Sequence, residues 1–275
     1  MRKASSLVAL LAVAVVLVTG WAQVSLAAGG SVSPVLDRIL AKKELVVGTA
    51  ADMPPLNMTT KEGQIIGLEI DMARLFAGGM DVKLTLKPIK FSDLLSALES
   101  GQVDMVISGM TILPERNLKA AFVGPYFASG KSILTKAANA EALGDSTKIN
   151  NPDKVLVTLK GSTSQLFVER VFPKAKLVLT DDYDQAVAMV RDDKAQAMVA
   201  DYPICQVSVY RYPDSGLATL KSPISYEPLG IALPVGDPLL VNLVQNMVST
   251  LEKSGEMDLL LQKWFKDPSW VKSLR

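Results

Sequence analysis

Residues 108–116 gather the polar groups that a carboxylate ligand needs into one short segment. The segment follows the apolar run 105–107, which predicts a buried strand, and open α/β sheets bind ligands at such strand ends. An arginine binds a carboxylate through two parallel hydrogen bonds, and hydroxyl and backbone N–H groups add further donors. We therefore interpret the segment as an anion-binding turn, with an ordinary loop and a solvated arginine as the alternative. The candidate ligands in it are Ser108, Gly109, Thr111 and Arg116.

A second set of candidates lies further along the chain. Asp201 ends the apolar run 197–200, so its carboxylate either accepts a ligand ammonium or caps a following helix. Ser162 and Thr163 are either helix caps or donors to an anion at a helix N-terminus. Phe91 is either a hydrophobic staple or an aromatic wall. One guanidinium, one carboxylate, several hydroxyls and an apolar wall together suit a zwitterion with a side chain.

Alternating strand-like and helical patterns must position these candidates. Strands are predicted at 45–48, 82–86, 104–107, 155–157, 177–179, 197–201 and 231–233, with an extended stretch from 125 to 136. Helices are predicted around 68–76, 94–98, 183–192, 240–251 and 257–265. This order predicts an α/β fold of mostly parallel sheets covered by helices.

Residues 91–109 can be laid on 183–201 without a gap, which places the 108–109 turn on Ala200 and Asp201. Any helix–strand unit matches another by pattern, so the match alone does not prove a repeat. It favours two similar α/β lobes whose polar strand ends face each other across one cleft.

The composition excludes several classes of chemistry. The chain contains no histidine, which excludes Ser-His-Asp and Cys-His catalysis and histidine-ligated metals. It has no phosphate-binding loop, and its single cysteine, Cys205, cannot form an internal disulfide. We expect no cofactor and no metal.

The N-terminus predicts export. Arg2 and Lys3 precede the apolar run 7–18, and a small-x-small pattern follows at 25–28, so we predict a signal peptide over 1–27 with cleavage after Ala27. Without Arg2 and Lys3, 27 basic residues face 28 acidic ones, and the net charge moves from +1 to −1. Nothing in this charge suggests a nucleic acid or an anionic membrane as partner.

These motifs together resemble extracellular solute-binding protein family 3, the periplasmic amino-acid-binding proteins of ABC importers. The resemblance runs from Leu45 to Phe265. Its segments are 46–49, 54–55, 67–71, 101–104, 109–112 with 115–116, 160–163, 199–201 and 263–265.

The resemblance implies a bilobal type II periplasmic-binding-protein fold with two hinge strands, near 131–136 and 225–231. Lobe 1 would comprise 28–132 and 228–275, and lobe 2 would comprise 133–227. The expected partners are a small-molecule amino acid and a membrane permease, and we expect a monomer.

The resemblance also implies roles for individual residues. Arg116 would hold the ligand α-carboxylate, assisted by Thr111, the backbone around Ser108 and Gly109, and Thr163 of the other lobe. Asp201 would take the α-ammonium, Phe91 would form an aromatic wall, and Ser162 belongs to the same expected site. Several positions depart from the common family pattern: Ala50, Met53, Leu56, Leu113 and Leu159.

The departure at Ala50 removes a carboxylate that the family often carries, and an unpaired buried ammonium is costly. We therefore expect a ligand with an uncharged side chain. The main alternative is an exported cyclohexadienyl dehydratase, acting on arogenate or prephenate, on the same fold. Its general acid would be Glu169, Asp181 or Glu227, none of which the spacing singles out. A sensor or adaptor domain is a third possibility.

Overall fold

The structure is a computed structural model that describes residues 32–139 and 146–274. The expected signal peptide and its cleavage site lie outside these residues. Within the described part of the chain, no helix is long and apolar enough to cross a membrane.

The strands and helices follow the alternation that the sequence predicts. The strands are β1 (Glu44–Thr49), β2 (Asp52–Met53), β3 (Asn57–Thr59), β4 (Ile65–Ile66), β5 (Lys83–Pro88), β6 (Met105–Val106), β7 (Ala121–Ser129), β8 (Lys131–Lys136), β9 (Val155–Leu159), β10 (Lys176–Thr180), β11 (Ala197–Asp201), β12 (Leu217–Thr219) and β13 (Glu227–Leu233). The α-helices are α1 (Pro34–Lys42), α2 (Leu68–Gly79), α3 (Leu94–Glu99), α4 (Pro114–Asn117), α5 (Ser146–Ile149), α6 (Thr163–Val171), α7 (Tyr183–Arg191), α8 (Tyr202–Arg211), α9 (Pro238–Ser254) and α10 (Glu256–Leu261). Short 3₁₀ turns span Phe91–Asp93, Pro213–Ser215 and Pro268–Ser273, and a π-helical turn spans Gln262–Lys266.

Among the described residues, the strands form two five-stranded sheets and a small three-stranded one. The first sheet has the order β5-β1-β6-β13-β7 and the second has the order β10-β9-β11-β8-β12; β2, β3 and β4 form the third. The two large sheets share one plan, with β6 and β11 at their centres, each preceded by the helix that the internal match aligns. The topology therefore agrees with the predicted correspondence between 91–109 and 183–201.

The sheets are less parallel than expected. In the first sheet β1 pairs in parallel with β5 and β6, whereas β13 runs antiparallel to β6 and β7. In the second sheet β9 pairs in parallel with β10 and β11, whereas β8 runs antiparallel to β11 and β12. The antiparallel half of each sheet arises because the chain crosses between the sheets twice.

The two crossings lie side by side. The chain leaves the first sheet at Gly130 and returns between β12 and β13. The crossings are hydrogen bonded, because the Lys131 N–H donates to the Ser225 hydroxyl at 2.9 Å and the Ile224 N–H donates to the Lys131 carbonyl at 2.8 Å. A Cβ on Gly130 would lie 2.1 Å from the Ser225 carbonyl oxygen, so this approach requires glycine.

Candidate functional site

The turn after β6 is shaped by tight packing. Gly109 has a φ of 54°, which favours glycine, and a Cβ there would lie 2.6 Å from the Met53 Cε atom, so the Met53 side chain would have to shift. The Ser108 hydroxyl accepts a hydrogen bond from the Ala50 N–H at 2.8 Å and donates to the Met53 sulfur at 3.8 Å. The Ser108 side chain therefore holds the turn against the loop that follows β1.

Glu69 of α2 supports the same turn from below. Its carboxylate is fully buried and accepts hydrogen bonds from the Gly109 N–H at 2.6 Å, the Asn57 amide at 2.6 Å and the Tyr126 hydroxyl. Burial raises the pKa of Glu69, and these hydrogen bonds oppose the rise. The Gly109 N–H, a predicted ligand group, is thus already donated to Glu69.

Arg116 of α4 lies above the turn. Its guanidinium donates to the Thr111 carbonyl at 2.9 Å and to the Gly161 carbonyl at 3.2 Å, and it lies 5.6 Å from the centre of the Phe91 ring. Burial lowers the pKa of Arg116, and the negative charges of Glu227, Asp201 and Glu115 oppose that shift. No carboxylate among the described residues forms an ion pair with this guanidinium, so its direct partners are neutral carbonyl groups.

Asp201 lies at the end of β11, as predicted, but its carboxylate has a partner that the sequence analysis missed. The Lys131 ammonium lies 2.5 Å from Asp201 Oδ1 and 3.6 Å from Glu227 Oε1. Lys131 is 1 % exposed and Asp201 is 3 % exposed. The two residues are direct partners in the antiparallel ladder of β8 and β11, which puts both side chains on one face of the sheet.

The second role expected for the Asp201 carboxylate is to cap the following helix. Helix α8 begins at the next residue, yet the Asp201 side chain makes no capping hydrogen bond. The helix-cap interpretation of its carboxylate is therefore wrong. No local signal in the sequence singles out Lys131, since its strand also contains Ser132, Thr135 and Lys136, and the identity of its partner depends on strand register.

Glu227 connects the ion pair of Lys131 and Asp201 to the turn that contains Thr111. The Thr111 hydroxyl donates to Glu227 Oε2 at 3.0 Å, and the Ser225 hydroxyl donates to Glu227 Oε1 at 3.3 Å. The Thr111 side chain is therefore engaged with an acid, while its carbonyl accepts from Arg116. Two cations and two carboxylates thus meet where the two sheets face each other: Arg116, Lys131, Asp201 and Glu227.

Helix α6 has its N-terminus near these residues. The Ser162 hydroxyl accepts a hydrogen bond from the Gln165 N–H at 3.3 Å and donates one to the Leu159 carbonyl at 2.7 Å. Ser162 is therefore a helix cap, which is one of the two roles expected for it. Thr163 is half-buried and, with Thr111 and Glu227, lines a groove of about 490 Å³.

The predicted apolar positions come together. Phe91, Met53 and Leu159 are buried in one cluster that also contains Tyr183. Tyr183 is a second aromatic side chain of this wall that the sequence analysis missed; its signal was its place opposite Phe91 in the internal match. Burial raises the pKa of Tyr183 well above its usual range, so the phenol is neutral.

Two further contacts between distant segments lie near this wall. Asp52 Oδ2 accepts from the Tyr183 N–H at 2.9 Å, and the buried Oδ1 atom has no hydrogen-bond partner. Burial, with the charges of Asp182 and Asp184, raises the pKa of Asp52 to about 7. At the surface, Lys90 forms an ion pair with Asp181 at 2.6 Å.

Within the described residues, no group of three or more acidic or cysteine side chains is placed to hold a metal ion. The site offers instead a guanidinium, a lysine between two carboxylates, hydroxyl groups and an apolar wall. This arrangement can bind a small carboxylate-bearing solute.

The chain is similar to known proteins over most of its length. Residues 45–267 match the bacterial extracellular solute-binding proteins, family 3. The L-cystine-binding protein TcyJ of Escherichia coli is 28% identical over 252 residues, which are 92% of each chain. The cyclohexadienyl dehydratase of Pseudomonas aeruginosa is 25% identical over 84% of this chain and 86% of its own.

A solved structure gives the same picture. It is an ancestral amino acid-binding protein described as a precursor of cyclohexadienyl dehydratase, 35% identical, with a TM-score of 0.77. The match covers 84% of this chain and 99% of that one. The structural neighbours are type II periplasmic binding proteins, which confirms the fold class expected from the sequence.

Proposed function

The chain belongs to the bacterial extracellular solute-binding proteins of family 3, and we propose that it captures one amino acid with an uncharged side chain for an ABC importer. The family comprises extracellular and periplasmic amino-acid-binding proteins of ABC importers. Export by the signal peptide 1–27, a monomeric state and delivery to a permease are parts of the proposal.

Arg116 carries the proposal. A half-buried guanidinium that is hydrogen bonded only to carbonyl oxygens keeps its charge, because arginine does not deprotonate in proteins. A ligand α-carboxylate would supply the missing counter-charge through charge-assisted hydrogen bonds. The Phe91 ring lies beside this guanidinium, and Thr163 lines the groove that also contains Thr111, in line with the roles that the resemblance implies.

The acidic side of the cleft supports an α-ammonium. Asp201 and Glu227 are two carboxylates beside one lysine, so their charge exceeds that of Lys131 by one unit. A ligand ammonium at Asp201 would balance this excess, while the ligand carboxylate would balance Arg116. The four charged side chains together are neutral, and a zwitterion keeps that balance, whereas a ligand with a net charge would not.

The wall supports an uncharged ligand side chain. Phe91, Met53 and Leu159 are buried together, and Ala50 packs against the same cluster without a carboxylate. A cationic side chain packed against these three residues would lose its hydration. The carboxyl group beside this wall is that of Asp52, and burial raises its pKa to about 7, which favours its neutral form.

Closure of two lobes is the proposed mechanism. Lobe 1 is assigned to 28–132 and 228–275 and lobe 2 to 133–227, with the crossings at Gly130 and near Ser225 as hinges. Three contacts run between the proposed lobes and support closure: Arg116 to Gly161, Lys90 to Asp181, and Asp52 to Tyr183.

The test is isothermal titration of the mature protein with the twenty amino acids, followed by Arg116→Ala. We expect an uncharged amino acid to bind, and we expect Arg116→Ala to abolish detectable binding because the ligand carboxylate loses its partner. Arg74→Ala is the matched control, since Arg74 forms an exposed ion pair with Asp71 on α2. Tight binding of only arginine or lysine, or unchanged affinity in Arg116→Ala, would contradict the proposal.

The dehydratase remains the second candidate, and one observation favours a specific acid for it. Glu169 is exposed and Asp181 pairs with Lys90 at the surface, whereas Glu227 lies in the cleft with a side chain that is 12 % exposed. Only Glu227 of the three is placed to protonate a leaving hydroxyl group in the cleft. An assay for phenylalanine formed from arogenate, or phenylpyruvate formed from prephenate, separates this candidate from a binding protein.

A further inference from the structure

Lys131 occupies the position where a ligand ammonium would meet Asp201. Its side chain is 2 % exposed, and its ammonium lies 2.5 Å from Asp201 Oδ1. The backbone fixes this contact, because Lys131 and Asp201 are paired in the β8–β11 ladder. The protein thus supplies its own ammonium to the buried carboxylate.

An internal ammonium changes what the cleft rejects. A site built to hydrogen bond a substrate amine rejects the analogue that lacks it by about 10⁴-fold or more, because its buried polar groups are left unpaired. Asp201 would be such a group in a cleft without Lys131. Here the loss of a ligand ammonium leaves Asp201 paired, so that penalty is removed.

We propose that the cleft also binds 2-oxo carboxylic acids, in which an oxo group replaces the α-ammonium, because Lys131 keeps Asp201 paired. The inference rests on the proposed function, since the ligand carboxylate still binds Arg116. The Lys131 ammonium has three N–H donors, and Asp201 Oδ1 receives one of them. The oxo oxygen accepts another, which an α-ammonium cannot do. Lys131 is therefore a specificity-determining residue.

The neighbouring groups favour the same ligand class. Glu227 Oε1 is 3.6 Å from the Lys131 ammonium, which is beyond a direct hydrogen bond, and Glu227 Oε2 is engaged by the Thr111 hydroxyl. An oxo oxygen therefore meets a cation with free donors, whereas an α-ammonium meets a cation of like charge. Amino acids bind by sharing Asp201 and Glu227 with Lys131, and 2-oxo acids bind without displacing it.

The experiment is isothermal titration of the mature protein with leucine, methionine and phenylalanine, each paired with its 2-oxo acid. For the pair that binds most tightly, we expect the two affinities to differ by less than about 100-fold, against about 10⁴-fold for a site that depends on the amine. A preference for the amino acid above that limit would overturn the inference. This wild-type measurement does not depend on any variant folding.

Lys131→Met tests the residue directly. We expect the affinity ratio of amino acid to 2-oxo acid to rise at least about tenfold, because Asp201 then needs the ligand ammonium. Lys136→Met is the matched control, since Lys136 lies on the same strand and pairs with Asp193 outside the cleft. An unchanged ratio in a folded Lys131→Met protein would also overturn the inference.

The two proposals fail in different ways. Binding of amino acids that depends on Arg116, without binding of any 2-oxo acid, leaves the proposed function intact and removes only the inference. Absence of binding by all twenty amino acids, or binding that does not depend on Arg116, removes the proposed function itself.

Discussion

Arg116 and Lys131 have the same charge but different partners in this cleft. Arg116 is held by two carbonyl oxygens, whereas Lys131 is held by two carboxylates. The Arg116 guanidinium stays protonated, and because its direct partners are neutral carbonyl groups it gains from an incoming anion. The Lys131 ammonium already has carboxylate partners. The local partners, and not the charge alone, therefore divide the ligand-binding cation from the one that neutralises the protein's own acid.

Arg116→Lys separates charge from geometry at the residue scale. Lysine keeps the positive charge but cannot form the planar two-bond contact with a carboxylate. Loss of one charge-assisted hydrogen bond costs about 1.5–3 kcal/mol, so we expect roughly 10- to 160-fold weaker binding of the tightest amino acid in a calorimetric titration. Arg74→Lys serves as the control. Equal affinity in Arg116→Lys and wild type would show that the ligand carboxylate does not form the planar two-bond contact with Arg116.

At the scale of elements, the sequence predicted the order of strands and helices well where the pattern is local. Helix α7, strand β9 and the end of β11 at Asp201 lie within a few residues of their predicted positions. Strand β7 was placed too late, because Gly124 and Pro125 are typical of turns. The structure tolerates both residues because β7 is an edge strand whose ladder with β13 is irregular between Leu229 and Ile231.

The unpredicted parts of the site are contacts between distant segments. Asp201 was found because it ends an apolar strand, which is a local signal. Its pairing with Lys131 depends on the register of β8 against β11, and the contact of Asp52 with Tyr183 depends on how the two halves meet. Periodicity in one sequence contains neither kind of information, so the candidate cations and acids were predictable but their partners were not.

Helix α2 and the 108–111 turn form a unit through Glu69, and Glu69→Gln tests it. All three partners of this carboxylate donate hydrogen bonds, from the Gly109 N–H, the Asn57 amide and the Tyr126 hydroxyl. The NH₂ group of a glutamine would face the NH₂ group of Asn57, and both groups are donors. Rotation of the Asn57 amide by 180° would break the hydrogen bond that its oxygen accepts from the Ala51 N–H. We expect the free energy of unfolding in urea to fall by about 1–3 kcal/mol.

The control for this prediction is Glu99→Gln, an exposed glutamate on α3 that we expect to change stability by less than about 0.5 kcal/mol. Equal stability of Glu69→Gln and Glu99→Gln would mean that Glu69 does not hold the turn. A Glu69→Gln protein that is destabilised but binds ligand normally would limit its role to folding.

The molecule as a whole is built on two large sheets of one plan, and one contact between the proposed lobes involves a carboxyl group whose pKa is raised to about 7. Asp52 lies on β2, and its carboxylate meets the N-terminus of α7 on the other half. Burial raises its pKa to about 7, so the conformation with the halves in contact favours the protonated acid. The chain contains no histidine, which leaves few other groups to titrate in this range.

Asp52→Asn therefore tests the pH dependence of the whole molecule. An exposed aspartate has a pKa of about 4, so the stabilisation by protonated Asp52 is complete below that pH and is lost as pH rises through about 7. Asparagine still accepts the Tyr183 N–H but does not ionise. We expect the thermal unfolding midpoint to fall between pH 5 and pH 8 by more in wild type than in Asp52→Asn. Asp153→Asn, at an exposed position, should behave as wild type, and a parallel fall in all three proteins would show that ionisation of Asp52 does not weaken the contact between the halves.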